Sequence, residues 1–146
     1  MNIYLDTSAL NRIFDDRSQM RISLEAKAVE AILLLIETST IDLVASAVLA
    51  YEISQNPYRE RQDIAVRILQ QAKAYQTLAP EIIVRGRQLE STDRIASVDA
   101  LHIACEEALV TDYFITCDDR LIKRYKGAMS LLNPVEFILK ITTKGE

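Results

Sequence analysis

The spacing of apolar positions changes along this chain, and the changes divide it into alternating strands and helices. Residues 2–5 form a short apolar run of strand length that ends at Asp6. Thr7 or Ser8 then caps a short helix through Phe14, and residues 15–18 are polar and turn-like. Residues 21–37 carry Ala28, Ile32, Leu35 and Ile36 on one side and Glu25, Lys27 and Glu30 elsewhere, which predicts an amphipathic helix. Residues 41–45 are β-branched and apolar, a second strand. Ser46 caps a helix to about Gln55, stopped by Asn56-Pro57. Ile64, Ile68, Leu69 and Ala72 predict a helix over 58–75, followed by a brief strand at 76–78. Pro80 fits the first turn of a helix to about Leu89. Ser97 caps a helix over 98–109. Residues 113–117 read as a strong strand, Asp118 begins the next helix, and Gly127 is a helix stop. Residues 129–132 form a last strand, and Pro134 starts a terminal helix.

Strands that alternate with helices pair in parallel and need helices on both faces. The expected class is therefore α/β, three layers deep. The length of 146 residues suits one domain spanning 1–146, with no repeat or low-complexity segment. Hydrophobic residues at 49% and charged residues at 26% fit a soluble globular protein. The most apolar run, 28–36, contains Glu30 and is too short to cross a bilayer. No basic segment precedes an apolar run at the N-terminus, so the expected location is cytoplasmic. Cys105 and Cys117 form no CxxC pair and read as small buried hydrophobes.

The net charge of −4 argues against broad electrostatic capture of nucleic acid. It counts for less where acids surround bound cations, because the local field then reverses.

The acids themselves have a pattern. Asp6 lies just beyond the first strand and Asp118 just beyond the strand at 113–117. In an open parallel sheet both emerge at the carboxyl edge, where ligands gather. Asp99 sits in the first turn after Ser97, and Glu52 about two turns into the helix after Ser46. Each has an ordinary structural explanation as a cap, a turn former, a dipole partner or a surface residue. Glu52 fits that explanation poorly, because Val48, Leu49, Ala50, Tyr51 and Ile53 surround it and no Lys or Arg lies within one helical turn. A metal ion would supply its partner. Carboxylates with open water positions suit Mg²⁺ or Mn²⁺, and such an ion activates water and offsets charge on a phosphodiester.

Four segments carry a family resemblance: Tyr4-Leu5-Asp6-Thr7-Ser8, Leu49-Ala50-Tyr51-Glu52, Val98-Asp99-Ala100-Leu101-His102-Ile103-Ala104 and Phe114-Ile115-Thr116-Cys117-Asp118. In this order the chain resembles a PIN domain, the fold of the VapC toxins. The resemblance implies a parallel sheet of four or five strands in order 3-2-1-4-5 with helices on both faces. It implies Mg²⁺ or Mn²⁺ held by Asp6, Glu52, Asp99 and Asp118, with Thr116 and Ser8 as hydroxyl neighbours. It further implies cleavage of single-stranded RNA, a homodimer and an antitoxin partner. Asp119 competes with Asp118 as fourth ligand; Asp118 is preferred because the family's acid falls two residues after the strand-end Thr.

His102, the only histidine, shares a helix face with Asp99 and reads as a packed or hydrogen-bonded residue. Arg12 and Arg94 are candidate RNA contacts or surface ion pairs. Tyr51 neighbours Glu52 and is a candidate to stack on a base, with core packing the preferred reading. Two other classes compete: a catalytically silent PIN fold that binds RNA or protein, and a phospho-accepting receiver domain. The receiver needs an acidic pair after the first strand and a Lys after the last strand, and neither is present. No GxGxxG or P-loop occurs.

Overall fold

In the computed structural model, residues 1–143 are described. Five strands form one parallel sheet: β1 (Asn2–Leu5), β2 (Asp42–Ser46), β3 (Ala74–Gln76), β4 (Tyr113–Ile115) and β5 (Ser130–Leu132), in order β3-β2-β1-β4-β5. The expected order 3-2-1-4-5 is the observed one. Helices α1 (Thr7–Asn11), α2 (Met20–Glu37), α3 (Ala47–Ser54), α4 (Arg59–Leu69), α5 (Pro80–Thr92), α6 (Ser97–Ala108), α7 (Asp119–Arg124) and α8 (Pro134–Thr143) connect and flank the strands.

Both faces of the central strands are dry. Ile3, Tyr4 and Leu5 of β1, Leu43 and Val44 of β2, and Phe114 and Ile115 of β4 are all buried. Successive strand residues point to opposite faces, so these unbroken apolar runs require cover on both sides. Ile32 and Phe137 supply part of it, as do Leu49, Leu89 and Ile103. Cys105 and Cys117 are free thiols in this core, as expected.

Several boundaries differ from the periodicity. The helix expected over 58–75 ends at Leu69. The Lys73 N–H donates to the Leu43 carbonyl at 2.8 Å, and Ala74, Tyr75 and Gln76 then pair with Val44, Ala45 and Ser46. Edge pairing on β2 outweighs the helical pattern that runs on to Ala72, and it moves the strand forward from 76–78. Ser97 does not cap α6: Ala96 holds that position without a side-chain bond. Neither Thr7 nor Ser8 caps α1, because Asp6 does so by accepting from the Ala9 N–H. Ser46 does cap α3, accepting from the Leu49 N–H.

Among the described residues, no helix is long and apolar enough to cross a membrane.

Candidate active site

Parallel pairing of β1 with β4 places the chain exits of both strands at the same sheet edge. Asp6 is the first residue beyond β1. Its N–H still donates to the Ile115 carbonyl at 3.1 Å, so its backbone is fixed by the sheet. Its side chain is 3% exposed. Oδ1 accepts from Ser8 Oγ at 2.7 Å and from the Ala9 N–H at 2.9 Å. Burial raises the Asp6 carboxyl above the usual range; hydrogen bonds from Thr116, Ala9 and Ser8 partly oppose that rise.

Ser8 and Thr116 join the two exits. Their hydroxyls lie 3.2 Å apart, and Ser8 Oγ also accepts from the Cys117 N–H at 3.1 Å. Thr116 Oγ1 accepts from the Asp118 N–H at 3.1 Å. Both hydroxyls therefore lie between the first and last acids of the pattern, where they can aim a carboxylate.

Asp118 is half-buried at the N-cap of α7. Its Oδ1 accepts from the Arg120 and Leu121 N–H groups at 2.9 and 3.2 Å. Asp119 points elsewhere, into two bonds of 2.8 Å from Arg21. Arg21 also reaches the buried Glu25, which pairs with Arg12 at 3.0 Å. Arg12 is thus committed to Glu25 and to Asp15, at 2.8 Å, in a network that ties α2 to the start of α7. These pairs occupy its Nη1 and Nε.

Asp99 occupies the first turn of α6 and shares a cavity of about 160 Å³ with Asp118. Its carboxyl is raised first by burial and next by the charge of Asp6, with Asp118 and Glu52 adding to the effect. Asp99 therefore lies within the field of the other three acids. No lysine or arginine forms an ion pair with Asp6, Asp99 or Asp118 among the described residues.

Glu52 is not partnerless, contrary to the sequence argument. Its Oε1 accepts from Thr7 Oγ1 and lies 2.5 Å from His102 Nε2. The His102 bond holds the Glu52 carboxyl below its usual range, against partial burial. His102 is itself 1% exposed, and its Nδ1 lies 2.5 Å from the Tyr4 hydroxyl. Burial keeps the Tyr4 phenol well above its usual pKa, so it stays a donor. Tyr4 therefore donates to Nδ1, which places the ring proton on Nε2, facing Glu52. Ser46, the cap of α3, completes the line at 2.8 Å from the Tyr4 oxygen. Sequence reasoning anticipated a hydrogen-bonded His102 but missed Tyr4 and Thr7, because their partners are distant in the chain.

It also missed Arg120 and Arg124, which line the Asp99–Asp118 cavity. The available signal was their position on the helix that Asp118 caps. Arg94 is exposed, and its carbonyl accepts from Arg124 at 3.1 Å. Tyr51 is exposed, not core.

The donor set fits a hard divalent cation. Asp6, Asp99 and Asp118 have no Lys or Arg ion pair among the described residues, Glu52 pairs with His102, and the bonds to Asp6 and Asp118 fall on Oδ1 of each, leaving Oδ2 for a ligand role. Among the described residues no three acidic, His or Cys side chains close around one point. Glu52 and Asp118 each face hydrogen-bond donors, Thr7 and His102 for the first and the Arg120 and Leu121 N–H groups for the second.

The structure is an α/β/α domain with Asp6 and Asp118 at the carboxyl edge of its parallel sheet and Asp99 in the same field. Comparison with known proteins specifies it further: the model of the PIN domain matches residues 3–127, and the chain belongs to that family, whose members are generally nucleases. Among solved structures it is similar to VapBC2 from Rickettsia felis, determined bound to a DNA fragment from its promoter, with 15% identity and a TM-score of 0.59. That match covers 91% of this chain and 98% of the other. It is also similar to PAE2754 from Pyrobaculum aerophilum, with 15% identity and a TM-score of 0.57 over 99% of both chains. At this identity the likeness speaks for the fold. Among curated proteins, sequence comparison finds no significant match.

Proposed function

We propose that the chain is a divalent-metal-dependent endoribonuclease and the toxin of a toxin–antitoxin pair. The observation that carries this reading is a PIN fold in which the Asp99 carboxyl is raised by burial and by the charges of Asp6, Asp118 and Glu52, while Asp6, Asp99 and Asp118 have no Lys or Arg ion pair among the described residues. Asp6, Glu52, Asp99 and Asp118 are the residues that would hold Mg²⁺ or Mn²⁺. Such an ion, when bound, makes water a better nucleophile and offsets charge on the phosphodiester.

The chain's own residues prepare that site. Ser8 and the Ala9 N–H fix the rotamer of Asp6. Thr7 and His102 fix Glu52, and the N-terminus of α7 fixes Asp118. Held side chains lose less entropy on binding. Arg120 and Arg124 border the acids and offer cations to RNA phosphates.

Cleavage of single-stranded RNA with Mg²⁺ or Mn²⁺, with and without chelator, tests the reading. Asp6→Asn should lose about a hundredfold or more of the metal-dependent rate, since it removes a ligand charge and keeps the capping oxygen. Equal cleavage by the variant would contradict the assignment. The similarity to one half of a VapBC pair supports an antitoxin partner, and co-purification with the product of the adjacent reading frame checks it. A homodimer belongs to the same proposal, and light scattering of the purified chain measures it.

A further inference from the structure

A second cleft, of about 270 Å³, opens on the Glu52 side of the site. Glu52 lines it with Asn11, Phe14, Asn56, Tyr58 and Arg61, among others. Its walls differ in chemistry from the acid cluster. Tyr58 is 59% exposed although it is a large aromatic residue. The Arg61 guanidinium lies 4.3 Å from the Tyr58 ring centroid and 5.6 Å from that of Phe14. Among the described residues Arg61 forms no ion pair, whereas Asp15 in the same cleft is paired with Arg12.

The platform is preorganised. Asn56 Oδ1 accepts from the Tyr58 N–H at 2.9 Å, and the Asn56 N–H donates to the Ile53 carbonyl at 3.1 Å. Gln62 clamps the loop through a 2.8 Å bond to the Ser54 carbonyl. Pro57 restricts the backbone between them. An exposed ring held this firmly, with a planar cation stacked on it, is costly surface unless something covers it.

We propose that this cleft is a nucleobase subsite: the base of a nucleotide flanking the scissile phosphate stacks on the Tyr58–Arg61 platform. The inference rests on the ribonuclease reading. Three observations favour a base over a protein side chain. The platform is a flat π surface with a cation, the combination that takes unpaired bases without demanding one sequence. Asn11 and Asn56 line the same cleft; with Asn56 Oδ1 held by the Tyr58 N–H, its Nδ2 remains a donor, and the Asn11 amide offers both a donor and an acceptor to a base edge. The cleft also shares Glu52 with the acid cluster, so a base seated there brings its own phosphate toward the acids.

The test is steady-state cleavage of a randomised single-stranded RNA pool in Mn²⁺ by the wild type, Tyr58→Leu and Tyr58→Trp. A parallel calorimetric titration of each with Mn²⁺ alone accompanies it. Tyr58→Leu keeps apolar bulk and removes the π face at an exposed position, so it should raise KM about tenfold with little change in kcat. Tyr58→Trp should restore KM, and Mn²⁺ affinity should stay the same in all three. If the wild type cleaves and Tyr58→Leu has an unchanged KM, the subsite is wrong while the nuclease reading stands; a protein side chain is then the better occupant. If Trp fails to restore KM, or Mn²⁺ affinity falls with it, Tyr58 supports the acid cluster and does not receive a base. If the wild type cleaves no RNA at all, the nuclease reading fails and the subsite with it.

Discussion

Single side chains decide whether the site is a set of acids or an organised centre, and the line Ser46–Tyr4–His102–Glu52 is where this can be measured. Tyr4 lies wholly inside the core, yet its hydroxyl has two polar partners. Tyr4→Phe leaves His102 Nδ1 without a donor in a dry environment. It should cost about 1–3 kcal/mol in chemical denaturation at unchanged m. A second buried group makes a pH prediction. Glu106 is 0% exposed, its Oε1 accepts from Thr111 at 2.8 Å, and Oε2 has no hydrogen-bond partner among the described residues. Burial pushes its carboxyl up to about 8. A raised folded-state pKa means that the native state holds its proton more tightly than the unfolded chain. Stability is then full below the unfolded value and is lost as pH rises through about 8. In metal-free buffer the wild type should lose ~3 kcal/mol between about pH 6 and pH 9 from this group. Glu106→Gln, which mimics the protonated acid, should flatten that slope. An equally steep fall in the variant would remove Glu106 as its cause.

At the scale of elements, what was legible in the sequence followed hydrophobic period and punctuation. β1, β2, α3 with its Ser46 cap, and the stop at Asn56-Pro57 all announce themselves locally. The end of α4 does not. Its apolar spacing continues to Ala72, and only the bond from Lys73 to Leu43 shows that an open sheet edge claims the next residues. Caps were read with mixed success for a similar reason. The sequence pattern singles out Asp6 as a site acid and misses that it caps α1, through Oδ1 accepting from the Ala9 N–H. Helix ends carry strain of their own. Val110, after α6, has φ 54°, a left-handed conformation that a β-branched residue adopts at a cost. Its side chain is 79% exposed, so little packing is lost on removal. Val110→Gly should raise stability by ~1 kcal/mol, read as an increase in denaturation midpoint.

The whole molecule has a net charge of −4, which read as an argument against a nucleic-acid enzyme. The fold softens that argument by distribution. Asp119, Glu25 and Asp15 are spent on Arg21 and Arg12, and Glu107 on Arg85, while Asp6, Asp99 and Asp118 have no Lys or Arg partner among the described residues. Their order along the chain was visible from the sequence; the field that Asp6 and Asp118 place on Asp99 was not, since it depends on β1 and β4 being neighbours. Nor was the donor network around Glu52, whose members lie 45 and 50 residues away. Calorimetric titration with Mn²⁺, wild type beside Asp6→Asn, tests the central claim most directly. The account predicts saturable binding by the wild type that Asp6→Asn abolishes or severely weakens. A flat titration of the wild type at millimolar Mn²⁺, or equal binding by the two proteins, would contradict it.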